Sequence, residues 1–224
     1  MAAWVDHLVI GAADLDQGAA WCVETLGAAP GPVGRHASLG THNRCLPIGS
    51  LEFPQAYLEI LAIDPDAPAP TRVRWFGLDG PAVAARLRAG PVLLALAART
   101  DALAEHGARL LEAGVDPGSP WRLSRETPSG PLRWRILLRD DGQSGGGPAL
   151  PALLEWESRH PAAAMPAPTA VLESLTLAGL APALRAALDL RGPVAWSDAS
   201  PPGVTAVLRT PRGRVALASW TAAE

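Results

Sequence analysis

The sequence contains no lysine, only two cysteines, one tyrosine and two phenylalanines among its 224 residues. Without lysine the chain cannot form a Schiff base with a carbonyl substrate, and it cannot build the G-x-x-x-x-G-K-[ST] phosphate-binding loop. Two cysteines are too few for a disulfide framework, and no C-x-x-C pair is present. The letters of a G-x-S-x-G motif occur only at residues 142–146, in a glycine-rich loop that no helix follows, so no strand–turn–helix nucleophile elbow is indicated.

The charge and hydropathy patterns exclude two classes of partner. The net charge is −3 and no run of basic residues occurs, so we expect no nucleic-acid partner. No apolar run approaches the ~18 residues of a membrane-spanning helix, and the first residues lack the basic region of a signal peptide. We therefore expect a cytoplasmic protein with no membrane partner.

The order of the predicted elements indicates an α+β fold built from repeated modules. Trp4–Ile10 reads as a strand, Asp14 as the N-cap of a helix that stops at Gly27, and three strands follow. Asp101 and Gly114 bracket a second helix at the same spacing, since 101 − 14 and 114 − 27 both give 87. A cap and a stop that agree in register indicate an internal repeat of a βαβββ unit.

This repeat divides the chain into five segments. Residues 1–65 form a first βαβββ module, 66–90 a linker with a short helix, 91–160 a second module, 161–170 a Pro/Ala linker, and 171–220 a third, shorter βαβββ-like module. We expect the modules to form curled mixed sheets around a cleft, with the helices outside.

The run Tyr57–Leu61 carries one carboxylate among apolar residues and is typical of a buried strand. Because side chains alternate along a strand, Tyr57, Glu59 and Leu61 share one face. A buried carboxylate needs a partner, and His7 on the first strand is a candidate. The two side chains are either ligands of one divalent metal or a hydrogen-bonded pair that lines a cavity, and the spacing leaves both interpretations open.

These residues resemble the vicinal oxygen chelate superfamily, and the Gly40–Asn43 segment with Tyr57–Ile60 is similar to its glyoxalase-like branch. The resemblance covers most of residues 5–160 and implies paired modules around a cleft. The superfamily includes glyoxalases, extradiol dioxygenases, epimerases and bleomycin-resistance proteins. The resemblance therefore implies a fold more than an activity.

The resemblance also implies metal ligands on the first and fourth strand of each module. His7 and Glu59 match in the first module, and Glu155 matches Glu59 through the similar runs Leu153–Trp156 and Tyr57–Ile60. Glu157 is an alternative to Glu155. The counterpart of His7 is Leu94, which cannot bind metal. Two interpretations therefore remain open: the cleft holds one divalent ion (Fe²⁺, Mn²⁺, Zn²⁺ or Mg²⁺), or it is metal-free.

Other polar and aromatic residues are candidates for contacts to a ligand. Each has a structural alternative: Thr41, His42 and Asn43 suit a hydrogen-bonded turn, and Arg135 suits an outward polar face. Among the eight tryptophans, Trp75 and Trp156 are candidates for ligand stacking. The predicted substrate-binding set is Thr41, His42, Asn43, Tyr57, Arg135 and Trp156.

Three further histidines have structural interpretations, although His160, at the end of a strand, could also close over the cleft. We expect His36 to lie on solvated surface, His106 to be exposed on the second helix, and His160 to pack in a loop.

Two functional hypotheses follow. The first is a metal-dependent lyase, isomerase or dioxygenase that acts on a small oxygenated substrate, with Glu59 and Glu155 as catalytic carboxylates. The second is a metal-free binding or sequestration protein that holds a small molecule against tryptophans. The third module has no partner within the chain, so it either covers a sheet edge or pairs with its counterpart in a homodimer.

Overall fold

The computed structural model describes residues 2–127 and 129–220. Four α-helices lie in this part of the chain: α1 (Leu15–Trp21), α2 (Pro81–Arg88), α3 (Leu103–Glu112) and α4 (Pro182–Leu188). The strands of its first two thirds are β1 (Ala3–Gly11), β2 (Val33–His36), β3 (Thr41–Pro47), β4 (Tyr57–Ile63), β5 (Val92–Thr100), β6 (Ser119–Arg125), β7 (Leu132–Leu138) and β8 (Ala152–Trp156). The remaining strands are β9 (Val171–Ala178), β10 (Leu190–Arg191), β11 (Val194–Ser197), β12 (Gly203–Thr210) and β13 (Gly213–Ala218).

Two halves with the same connectivity form the large sheet. Its strand order is β2-β3-β4-β1-β5-β8-β7-β6, with β10 added beside β1. In each half the first strand pairs in parallel with the fourth, and the three later strands form an antiparallel meander. Strands β1 and β5 join the halves antiparallel, and the edge strands β2 and β6 contact each other. The predicted α+β fold of curled mixed sheets around a cleft is confirmed.

Alternation along the central strands separates an outer core from the cleft. Leu58 and Ile60 of β4 pack outward in the core that also holds Leu8 and Ile10, whereas Leu61 faces the cleft with Val9. Helix α1 lies close to this outer face because residue 18 is glycine: a Cβ there would overlap the Ile60 side chain. The close contact fixes the strand that carries Glu59 against its helix.

The helix ends agree with the sequence in one module and differ in the other. Asp14 caps α1 by accepting a hydrogen bond from the Gln17 N–H at 2.7 Å, and Gly27 ends its π-helical continuation with φ 67°. The predicted cap of α3 by Asp101 is wrong. The N-cap is Ala102, and the Leu103 N–H points to the Glu155 carboxylate at 3.4 Å instead.

The C-terminal strands form a separate four-stranded sheet of order β11-β9-β12-β13. The strand–helix–strands order of the predicted third module is present, but the pairing differs, because β9 lies between β11 and β12 and β10 has joined the large sheet. Leu172, Leu177 and Leu208 of the small sheet pack into the same core as Leu8 and Ile60. The small sheet therefore covers a face of the large sheet, and the exact module boundaries stay a prediction.

In the described part of the chain, no helix is both long enough and apolar enough to cross a membrane.

Candidate functional site

A β-bulge in β1 turns two neighbouring polar side chains into the cleft. The pairing of β1 with β5 shifts between Val5 and His7, so Asp6 is the extra residue of the bulge. Val5 packs in the outer core, whereas both Asp6 and His7 contact residues of the cleft. A bulge places two successive residues on nearly the same side, which simple alternation forbids. Asp6 is thus a site residue that alternation along the strand could not identify.

His7 lies between two carboxylates. Its Nδ1 is 2.7 Å from Asp6 Oδ1, and its Nε2 is 3.4 Å from Glu59 Oε2. The ring also stacks on Tyr57, with centroids 4.6 Å apart. The predicted proximity of His7 and Glu59 is therefore present in the structure.

Further residues extend this pair into a polar network. Asn43 donates from Nδ2 to Glu59 Oε1, and the same Nδ2 lies 3.4 Å from His36 Nε2. The other ring nitrogen of His36 lies 3.1 Å from Thr41 Oγ1. At the opposite end, Trp156 Nε1 donates to Asp6 Oδ2 at 3.0 Å. Thr41, Asn43, Tyr57 and Trp156 of the predicted substrate-binding set therefore lie together with His7 and Glu59.

His160 closes the network at its outer end. The Ala162 N–H donates to His160 Nδ1 at 3.2 Å, so the proton lies on Nε2, which is 3.0 Å from Asp6 Oδ2. The ring also contacts Tyr57 and Trp156 edge-on. The expectation of simple loop packing missed these contacts.

Burial and charge pairing together set the protonation states. Burial alone would lower the pKa of His7, but hydrogen bonds and the charges of Asp6 and Glu59 raise it to about 9. Burial would raise the pKa of Glu59, yet its contacts with His7, His36 and Asn43 bring it to about 2. The pKa of Asp6 is also lowered despite burial, through His160 and His7. At neutral pH the cleft therefore holds an imidazolium between two carboxylates.

His36 and Tyr57 remain neutral. Burial lowers the pKa of His36 to about 4, because the nearby Glu59 only partly offsets it. Burial and the two carboxylates raise the pKa of Tyr57 well above its usual value. His36 is only 4% exposed, so the prediction that it lies on solvated surface is wrong. His106 is likewise fully buried, with Nδ1 3.2 Å from the Ala187 carbonyl, and its predicted exposure is wrong.

The acidic residues of the second half do not reach the cleft. In β8, Glu155 pairs with Arg135 at 2.8 Å, and Glu157, just beyond the strand, pairs with Arg122 at the same distance. Both carboxylates lie on the face opposite to Trp156, whose ring contacts Trp134 inside the cleft. The predicted ligand set of His7, Glu59 and Glu155 is therefore not brought together, and the same holds for Glu157.

Two predicted substrate-binding residues also face away. Arg135 lies outside with Glu155 and Glu157. His42 alternates with Thr41 and Asn43, and its Nδ1 lies 3.7 Å from Asp64 on the other side of β3. Trp75, the other stacking candidate, is buried with its ring edge-on to His36.

The remaining donors do not make up a three-ligand metal site. Within residues 2–127 and 129–220, no three His, Cys, Asp or Glu side chains are arranged to hold a metal ion. His7 and Glu59 are the two predicted ligands that stay together. Leu94 at the position of the fourth ligand is apolar, and Trp156 takes the cleft position next to Glu155. Of the four ligand positions that the resemblance implies, only the two in the first half therefore carry side chains that could bind a metal.

A cavity of about 640 Å³ opens beside the network, and we call it the mouth cavity. Its lining includes Cys45, Pro47, Arg125, Leu132 and His160. Burial raises the pKa of the Cys45 thiol to about 12, so this cysteine stays protonated. Because His160 lines it, a small molecule in the mouth cavity lies next to the outer end of the network.

The model of a family described as "Glyoxalase-like domain" matches residues 5–189. The chain belongs to the glyoxalase-like domain family. It is thereby a member of the vicinal oxygen chelate superfamily, as the resemblance implied. No curated protein matches the chain.

Solved structures that are similar to this family member have low sequence identity to it. A hypothetical protein from Staphylococcus aureus is 14% identical, with 80% of this chain and 70% of that chain covered and a TM-score of 0.55. Methylmalonyl-CoA epimerase from Mycobacterium tuberculosis is 20% identical, with 72% and 91% covered and a TM-score of 0.41. A Streptomyces coelicolor methylmalonyl-CoA epimerase variant in complex with 2-nitronate-propionyl-CoA is 19% identical, with 69% and 97% covered and a TM-score of 0.43.

Proposed function

We propose that this protein binds a small oxygenated molecule in the mouth cavity, and that binding does not depend on a divalent metal. The observation that carries the proposal is the position of the buried Asp6–His7–Glu59 group behind the cavity wall. Burying an imidazolium and two carboxylates is costly unless they are paired. His160 lines the cavity and contacts Asp6, so it links this charged group to a ligand held there.

The predicted metal-dependent reaction is not part of this proposal. It required a carboxylate from the second half, and Glu155 caps α3 and pairs with Arg135 instead. His7 and Glu59 alone leave most positions of a divalent ion to water, and Nδ1 and Nε2 of His7 already face Asp6 and Glu59.

Binding should survive removal of metal. We expect at least one member of a panel of small hydroxy-ketones, hydroxy acids and phenols to quench the tryptophan fluorescence saturably, because Trp156 packs against His160, which lines the mouth cavity. The same dissociation constant should be found after treatment with EDTA. A loss of binding in EDTA that is restored by Zn²⁺ or Mn²⁺ would contradict the proposal.

A pair of leucine variants locates the binding. Leu132→Trp should fill part of the mouth cavity and abolish the quenching, whereas Leu111→Trp on exposed helix surface should leave the dissociation constant unchanged. Melting temperatures of both variants show whether they fold. If both substitutions changed the dissociation constant equally, the ligand would bind outside the mouth cavity.

The protonation of His7 favours a second candidate, an enzyme of the isomerase or lyase type. An imidazolium with a pKa of about 9 can stabilise, through its charge, an oxyanion that develops on a carbonyl, while the ionised Glu59 accepts a proton from the neighbouring carbon. A carboxylate with a pKa of about 2 is a weak base. The substrates that fit are therefore those with an acidified C–H bond, such as hydroxy-ketones.

Exchange of hydrogen for deuterium tests this candidate without knowledge of the product. In D₂O, the protein should introduce deuterium next to the carbonyl of a hydroxy-ketone from the panel, as followed by proton NMR. His7→Gln and Glu59→Gln should each slow exchange about 100-fold. His106→Gln, a histidine buried away from the cleft, should leave the rate unchanged. Exchange that persists in both site variants would exclude these roles.

Cytoplasmic location and a homodimer stay predictions from the sequence.

A further inference from the structure

We infer that the ligand of the mouth cavity is an organic carboxylate, with its acid group on Arg125 and its apolar body along the cavity walls. The inference rests on the proposed small-molecule function and names the class of ligand. Arg125 lines the mouth cavity at the end of β6, and sequence analysis did not single it out. Three observations carry the inference: the charge of this arginine, the space made for it, and the chemistry of the walls.

Arg125 is a cation without a counter-charge. In the described ranges, no carboxylate oxygen lies within 4.0 Å of its guanidinium nitrogens, whereas Arg35, Arg99 and Arg135 each have such a partner. Its Nη1 donates to Asn43 Oδ1 at 3.4 Å, which is a neutral acceptor. A half-buried guanidinium gains most from a bidentate carboxylate, so the position favours an anionic ligand.

The neighbouring strand is built to admit this guanidinium. Residue 34 in β2 is glycine, and a Cβ at that position would overlap both Arg125 Nη1 and the Asn43 side-chain oxygen. Gly34 pairs directly with Asn43 of β3. The missing side chain thus lets Arg125 reach across from β6 to the first half, where Asn43 is held by Glu59. The arginine is thereby oriented by the same network that holds His7.

The rest of the cavity suits an apolar body. Its walls include Leu46, Pro47, Leu132, Met165 and Pro166. The other charged residues of its lining, Glu126 and Arg159, are exposed and opposite in sign. One inward cation in an otherwise apolar cavity of about 640 Å³ matches a monoanion with a hydrocarbon part, whereas inorganic phosphate would need more donors.

Octanoate and octanamide are matched probes, since they have nearly the same shape and differ in charge. Isothermal titration at pH 7 should show octanoate binding about 10- to 100-fold more tightly than octanamide to the unaltered protein. Arg125→Gln should reduce the affinity for octanoate to that for octanamide. Arg122→Gln is the control, because Arg122 lies on the same strand but faces outward to Glu157. This control should retain the full preference for octanoate.

Each other outcome overturns the inference. Equal affinity for both probes, or a preference that survives Arg125→Gln, means that this arginine does not recognise the acid group. A preference lost equally in Arg122→Gln reflects general surface charge. Octanamide binding without a gain for octanoate refutes the carboxylate class while the proposed cavity function stands. Failure of both probes at millimolar concentration counts against the inference and the cavity function together.

Discussion

Replacing Asp6 by asparagine should lower the free energy of unfolding by about 3–5 kcal/mol at pH 7. Asp6 is fully buried and accepts contacts from His7, His160 and Trp156. Asparagine has nearly the same shape but no charge, so the buried imidazolium of His7 would retain only Glu59 as its counter-charge. Chemical denaturation of both proteins, monitored by tryptophan fluorescence, measures the difference.

Asp14→Asn is the matched control for this prediction. It makes the same chemical change at the N-cap of α1, where asparagine caps as well as aspartate, so we expect a loss of less than about 0.5 kcal/mol. A loss below about 1 kcal/mol in Asp6→Asn would show that His7 is not charged in the folded protein. In that case the proposed electrostatic role of His7 in the cleft would have no basis.

Local periodicity explains what the sequence predicted well. Alternation along β4 placed Glu59 and Leu61 on one face and Leu58 and Ile60 on the other, and the two cores divide in this way. The pairing of β1 with β4 then brings His7 beside Tyr57. The face on which each side chain lies depends only on its neighbours in the strand, and the proximity of His7 and Tyr57 depends on one pairing of strands. A short sequence pattern is enough to predict both.

The position of Asp6 could not be read in the same way. Alternation in β1 places Asp6 opposite to His7, and only the bulge against β5 brings both into the cleft. Bulges depend on the partner strand, which here lies more than 80 residues further along the chain. The available signal was chemical: an aspartate within an apolar strand has to find partners, and its neighbour is a histidine.

Glu155 illustrates the limit of the repeat. The offset of 87 that relates the two helices would place the counterpart of Glu59 at residue 146. An insertion before β8 breaks this offset. The counterpart was therefore assigned from the similarity of Leu153–Trp156 to Tyr57–Ile60. A shift of one residue exchanges the two faces of a strand. The structure has Trp156 in the cleft and Glu155 outside, so likeness of composition could not supply the register.

Arg125 and His160 lie where strands end, and no periodic pattern marks such positions. The contact between the edge strands β2 and β6 brings Arg125 to Asn43, and the turn after β8 brings His160 back to Asp6. The cleft is consequently asymmetric. The first half supplies the Asp6–His7–Glu59 group, and the second half supplies Trp134 and Trp156 as walls and His160 at the outer end. A duplicated fold therefore does not imply a duplicated ligand set.

The stability of the protein should reach a maximum near pH 6.5, because two cleft histidines titrate in opposite directions. His36 has a folded pKa of about 4, below its unfolded value of 6.5, so its contribution is present above pH 6.5 and is lost as the pH falls through about 4. His7 has a folded pKa of about 9, above the same unfolded value. Its contribution is full below pH 6.5 and is lost as the pH rises through about 9.

For His7 this loss amounts to about 3 kcal/mol between pH 6.5 and 9, and denaturation curves across that range measure it. His7→Gln should be less stable at pH 6.5 and should show little change up to pH 9, because it has no proton to lose. His36→Gln is the control, since it should keep the decline above pH 6.5 while losing the part of the decline between pH 6.5 and about 4 that His36 causes. For the buried thiols Cys22 and Cys45, whose pKa burial raises from 9.0 to about 12, the loss of stability begins only near pH 9, at the upper end of this range. If the unaltered protein and His7→Gln had parallel pH profiles from 6.5 to 9, the imidazolium between Asp6 and Glu59 would not exist.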